Sequence, residues 1–149
     1  MLNLSYQSLG IFPTCDIDRH LRKLNLSHNK LKQLPETFGD LINLTHLLLN
    51  DNDLSSLPTT FKQLKKLQEL DLSNNKLKGL SENIADLKLL ERLFVEGNPL
   101  TAEEIRRLVE LMEKRRRLII DIAGKLIGLY KHYGNLKHQL KFRMTAQVY

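Results

Sequence analysis

One spacing governs this chain: its leucines and asparagines return every 23 residues. "LRKLNLSHNKLKQLPETFGDLIN" begins at Leu21, "LTHLLLNDNDLSSLPTTFKQLKK" at Leu44 and "LQELDLSNNKLKGLSENIADLKL" at Leu67. "LERLFVEGNPL" opens a further copy at Leu90, and "LNLSYQSLGIFP" at Leu2 is a divergent first one. A fixed period of this length implies stacked equivalent coils, each too small to bury its own apolar face and completed only by its neighbours.

The positions inside one copy say how a coil is built. Leu24/Leu26, Leu47/Leu49 and Leu70/Leu72 alternate with other residues and so share one face of a short strand. Leu31, Leu54 and Leu77, then Leu34, Leu57 and Leu80, then Phe38, Phe61 and Ile84, and finally Leu41, Leu64 and Leu87 fill the other walls. Leucine carries most of the apolar content and Trp is absent, as a core made from one repeated residue type requires. The asparagine slot is Asn29, Asn52, Asn75 and Asn98, with Gln7 in the first copy. An amide is costly to bury without partners. Behind the strand, however, the chain turns inward and exposes backbone groups that an amide's two donors and one acceptor can bond. The four asparagines are therefore expected to form a structural ladder from coil to coil. Pro35 and Pro58 fix a bend where no sheet hydrogen bond is needed; Ser81 stands there in the next copy.

The pattern LxxLxLxxNxL, with Leu-Pro after the asparagine turn, resembles the leucine-rich repeat family in its short 23-residue intracellular form, over roughly residues 2–100. The resemblance implies an α/β fold, a curved solenoid with one short parallel strand per coil on its concave side and irregular or 3₁₀-like returns on the convex side. It also implies an interaction module rather than an enzyme. Similarity to short cytoplasmic repeat proteins, including scaffolds and regulators around Ras-like GTPases and phosphatases, implies an adaptor, scaffold or regulatory role in signalling with a protein partner.

On that fold the strand residues that point away from the core line up across the concave surface. One column is Lys23, His46, Glu69 and Arg92; the next is Asn25, Leu48, Asp71 and Phe94; a third is Ser27, Asn50, Ser73 and Glu96. Most are polar, as an exposed sheet face should be. Leu48 and Phe94 depart from this, and an exposed Leu and Phe flanking Asp71 make an anchor pattern for a partner, although isolated apolar surface residues are also common.

"NPLTAEEIRRLVELMEKRRR" reads as the end of the array. Thr101 and Glu104 have capping-box spacing, Glu103 and Glu104 suit a helix start, and Ile105, Leu108, Val109 and Met112 recur at helical spacing. The expected division is an array of about five coils over 1–100, a C-terminal capping helix over 101–117 and a basic, helical extension over 118–149, with short strands at "LIIDI" and "LIGLY" as the alternative for its first part. The first copy lacks a polar cover, so either Met1–Leu4 is an exposed edge strand or the chain is a piece of a longer array. Residues 1–99 balance 12 basic against 12 acidic side chains, while residues 100–149 hold 11 against 5 and carry the whole net charge of +6. A basic extension on a neutral body reads either as an ordinary amphipathic extension docked on the end of the solenoid or as one of three binding elements: a partner-binding helix, a contact with an anionic membrane surface, or a contact with nucleic acid.

The remaining chemistry is bounded by what the residues lack. Single glycines cradle no phosphate. His20, His28, His46, His132 and His138 show no metal-ligand spacing. Cys15 is the only cysteine, which excludes an internal disulfide and a cysteine-based zinc site. No catalytic residue, cofactor, metal or small-molecule substrate is expected. No apolar run reaches the ~18 residues of a membrane span, and "MLNLSYQSL" lacks a basic segment before an apolar one, so no signal peptide is expected. The sequons at Asn3, Asn25 and Asn43 arise from the repeat itself. The expected location is the cytoplasm.

Overall fold

The computed structural model describes residues 1–14, 17–114 and 119–121. Six short strands form one parallel sheet in sequence order: β1 (Leu2–Asn3), β2 (Lys23–Asn25), β3 (His46–Leu48), β4 (Glu69–Asp71), β5 (Arg92–Phe94) and β6 (Ile119–Asp121). Equivalent positions of the repeat stand opposite each other, so Leu24 faces Leu47, Leu47 faces Leu70 and Leu70 faces Leu93. A sheet with this register places one leucine column inside and the residues on either side of it outside. Leu24, Leu26, Leu47, Leu49, Leu70, Leu72, Leu93 and Val95 are all buried.

The other walls close as the spacing requires. Leu31, Leu54 and Leu77, together with Leu34, Leu57 and Leu80, belong to the same continuous core as the strand leucines. On the convex side, 3₁₀ turns at Glu36–Asp40 and Thr59–Gln63 follow Pro35 and Pro58, whose fixed φ sets the entry to each turn. Where Ser81 stands in place of proline, the turn becomes a four-residue α-helix, α1 (Ser81–Ile84). Phe12, Phe38 and Phe61 follow one another in the core, Phe12 meeting Phe38 edge to face with ring centroids 5.0 Å apart and Phe38 lying parallel to Phe61 at 6.1 Å. The turns approach so closely that a Cβ on buried Gly39 would lie 2.6 Å from Thr60 Cβ, so only glycine fits there.

A helix, α2 (Ala102–Lys114), follows the fifth strand. Thr101 caps it, its Oγ1 accepting the Glu104 N–H at 3.2 Å. Ile105 and Leu108 are buried in the common core, and the buried Glu104 accepts the Leu80 N–H on Oε1 at 2.7 Å. The chain then returns to the sheet as β6, with Ile120 opposite Leu93, 27 residues later rather than 23. The sequence places the end of the array at residue 100 and favours a helix over 118–149 with short strands as the alternative; its one described stretch, Ile119–Asp121, is a strand. The physical reason is that Ile119–Asp121 extends an existing parallel edge, whose backbone groups need partners more than a weakly helical segment gains from its own turns. α2 thus occupies the convex return of a coil, in the place of a 3₁₀ turn. Cys15, the run at 115–118 and the basic extension from 122 onward lie outside the described residues, as do the side chains of Val109 and Met112.

Candidate partner-binding face

Behind each of β1 to β5 the chain turns through a residue with positive φ at one shared slot of the repeat, and the first coil has a second such residue, Ser8. The shared slot holds Tyr6, His28, Asp51, Asn74 and Gly97, each directly before a member of the asparagine slot or, for Tyr6, before Gln7. Left-handed backbone is costly for most side chains, and the sequence answers with His, Asp, Asn and Gly at four of the five positions. Gly97 meets a second demand, because a Cβ there would overlap the Asn74 side-chain oxygen. The turn aims the next residue inward. Asn75 donates from Nδ2 to the Leu49, Leu72 and Ser73 carbonyls at 2.9, 3.1 and 3.2 Å, and its Oδ1 accepts the Leu54 N–H at 3.0 Å. Asn52 bonds the Leu26, Leu49 and Asn50 carbonyls and the Leu31 N–H in the same way. Asn98 reaches the Leu72 carbonyl and the Leu77 N–H. Asn29 reaches the Leu4 carbonyl and the N–H groups of Gln7 and Leu9. All four are buried, and each ties its own coil to the one before it.

The rigid turns fix what the concave face presents. Lys23 and Arg92 are exposed while His46 and Glu69 are half-buried. Arg92 pairs with Glu69 across β4 and β5, its Nε donating to Oε2 at 2.8 Å. His46 Nδ1 lies 2.9 Å from Thr45 Oγ1. In the second column the register brings Asn25, Leu48, Asp71 and Phe94 side by side. All four are half-buried. Leu48 and Phe94, which the sequence reading takes as exposed, are therefore partly covered, because each leans on neighbours in a sheet whose strands stand only ~4.8 Å apart.

The third column differs more. Ser27 and Ser73 are buried rather than exposed. Each folds back on the residue two before it: the Ser27 N–H and hydroxyl donate to Asn25 Oδ1 at 2.9 and 2.6 Å, and those of Ser73 to Asp71 Oδ1 at 2.9 and 2.6 Å. Ser5 does the same to Asn3. These Asx turns end the strand. The signal stands in the sequence as "NLS", "NLS" and "DLS" at one slot of the repeat, where strand alternation alone puts both polar residues on the concave face. In the remaining two coils that slot carries Leu48 with Asn50 and Phe94 with Glu96. Asn50 is half-buried and donates to Asp51 Oδ2 at 2.7 Å; Glu96 is exposed.

Asp71 is the centre of this arrangement. Burial pushes its carboxyl above the usual carboxylate range, the Ser73 hydroxyl and N–H act against that rise, and the charges of Asp51 and Glu69 add to it. No Lys, Arg or His among the described residues forms an ion pair with it. Asp51, on the adjoining turn, receives Asn74 Nδ2 at 3.0 Å and lies 3.4 Å from His28 Nδ1, while the His28 ring stacks on Tyr6 at 4.2 Å. Among the described residues no cluster of His, Cys, Asp and Glu could hold a metal, and no helix is long and apolar enough to cross a membrane.

Comparison with known proteins agrees with this geometry. Family models described as leucine-rich repeat match residues 20–41 and 43–64, and a further one matches 56–100. A leucine-rich repeat protein of Leptospira interrogans is similar in structure, with 41% identity and a TM-score of 0.63 over 68% of this chain and 25% of that one. An internalin of Listeria monocytogenes is similar at 26% identity and a TM-score of 0.59, over 68% of this chain and 28% of its own. The chain thus spans about a quarter of the length of these relatives. No curated protein matches it. The register of the sheet, the asparagine turns and the matched repeats together make this chain a member of the leucine-rich repeat family.

Proposed function

We propose that this chain is an adaptor, scaffold or regulatory module in signalling that binds a protein partner through its concave sheet, in the cytoplasm and without catalytic chemistry of its own. Leucine-rich repeat domains are in general protein–protein interaction modules, and the finer reading is supported by one observation above all. Two coils of the concave face give up the Asx turn of their neighbours, and they put Leu48 and Phe94 on either side of Asp71. A polar slot that the repeat uses to end its strands is lost twice, on the two strands that flank a carboxylate. Local rules of a fold are broken most often where function requires it. The face contributed by Lys23, Asn25, His46, Leu48, Asn50, Glu69, Asp71, Arg92, Phe94 and Glu96 is the binding surface in this reading. Its test is affinity capture with the double variant Leu48→Ser/Phe94→Ser. Capture should fall while the circular dichroism spectrum and melting point stay close to those of the wild type. Full capture by the variant would move the partner to another surface, and loss of folding would make these two residues core.

The charge distribution favours a second reading, in which the basic extension contacts an anionic membrane or nucleic acid and the solenoid is a spacer. Residues 114–149 hold nine Lys and Arg and one Asp. Such contact would weaken steeply with added salt, so binding to anionic vesicles and to nucleic acid at two salt concentrations tests it. Absence of binding at low salt removes this reading and leaves the first.

A further inference from the structure

We propose that Asp71 is the anchor for a cationic side chain, arginine or lysine, of the protein segment that lies on the concave sheet, with the aliphatic stem of that side chain running between Leu48 and Phe94. The inference rests on the concave face being the binding surface and goes further by giving the partner its chemistry.

Three independent features of the site lead to it. First, the negative charge is not needed where it stands. Asn25 occupies the same slot and accepts the same two bonds from Ser27, at 2.9 and 2.6 Å, that Asp71 accepts from Ser73. An amide therefore ends the strand as well as a carboxylate does. Second, the charge is held unfavourably. It is half-buried, it faces the negative charges of Asp51 and Glu69, and its donors in Ser73 are neutral. Other carboxylates nearby are matched: Glu69 by Arg92, and Asp53 by Lys76 at 2.6 Å. A desolvated carboxylate without a counter-charge is a cost to the folded chain, and an incoming cation would remove it. Third, the flanks suit a long cationic side chain. Leu48 and Phe94 stand opposite Asp71 on the two neighbouring strands; a methylene stem packs on both, and a guanidinium or ammonium beside Phe94 gains from the ring face. Charge complementarity with apolar flanks selects a basic residue of a peptide segment over a neutral or acidic one.

The test uses the full chain, isotope-labelled for amide NMR, titrated with acetyl-arginine methylamide and with its uncharged counterpart acetyl-citrulline methylamide, against wild type and Asp71→Asn. The variant keeps the Ser73 bonds, as Asn25 shows for Ser27, so it should fold. The expected result is saturable shifts centred on the amides of residues 48, 71, 73 and 94, roughly tenfold weaker for citrulline and lost in Asp71→Asn. Equal response to the two probes, no localised response to arginine, or an unchanged response in Asp71→Asn would overturn the proposal. Partner capture separates it from the reading on which it rests. If capture falls in Leu48→Ser/Phe94→Ser but is unchanged in Asp71→Asn, the cationic anchor is overturned and the concave face stands. If neither variant affects capture, both are overturned.

Discussion

At the scale of single residues, the same amide chemistry does two jobs in adjacent positions. In "NN" at residues 74–75, the first asparagine takes the left-handed turn with φ of 53°, and the second spends its whole amide on backbone groups of two coils. Removing that amide leaves the buried Leu54 N–H without its acceptor and takes one of two donors from each of the Leu49, Leu72 and Ser73 carbonyls, so Asn75→Ala should cost about 1–3 kcal/mol. Urea melts measure this, and a loss of only a few tenths would contradict the bonding described. Asp71 supplies a second prediction, with a definite sign. Its carboxyl is raised by burial above its ordinary value of 3.8, so the folded state binds the proton more readily than the unfolded one. The stability it contributes is present below the unfolded pKa and is lost as pH rises through the folded pKa. Glu36, lowered by donors from Thr60 and Thr59, and Asp53, lowered by Lys76, act in the opposite direction, so the comparison must be between variants. Asp71→Asn should gain stability relative to wild type as pH rises from about 3 to 7. A difference that does not change with pH, measured by denaturant melts at several pH values, would contradict the raised pKa.

At the scale of elements, legibility followed how many positions of the repeat carried the signal. The strand leucines and the asparagine slot recur in copy after copy, and each marks a buried side chain, so strands, walls and register could be read from spacing alone. The positive-φ turns were less legible because Tyr, His, Asp, Asn and Gly share a backbone conformation rather than a chemistry. Ser27 and Ser73 were misplaced for a related reason: period-two alternation assumes the strand continues, whereas the Asx turn ends it and folds the serine inward. β6 stood in the sequence only as the alternative to a helix, because it follows a longer return, built on α2, that breaks the 23-residue count. α2 itself was marked by its cap and its apolar spacing, and it joins the core through Ile105 and the fully buried Leu108. Leu108→Asp places a charge in that core and should cost more than about 3 kcal/mol, seen as an unfolded or aggregated protein by circular dichroism and light scattering. A folded variant with a near-native melting point would show that α2 is not part of the cooperative unit.

At the scale of the whole molecule, each coil touches only its neighbours, so stability is a sum of coils and interfaces while the concave face remains free of that duty. Changes on that face should therefore alter recognition and spare the fold, provided the core lies where the leucine columns put it. A matched control exists on the opposite side: Ile42 and Leu89, in the returns that lead into β3 and β5, are 52% and 53% exposed. The most direct test of the concave binding surface is calorimetric titration of the captured partner into three forms of the chain: wild type, Leu48→Ser/Phe94→Ser and Ile42→Ser/Leu89→Ser. The expected result is affinity at least roughly tenfold weaker for the concave pair, as for loss of a central apolar anchor, with the convex pair binding like wild type. Wild-type affinity in the concave pair, or weakened binding in the convex pair alone, would contradict the account.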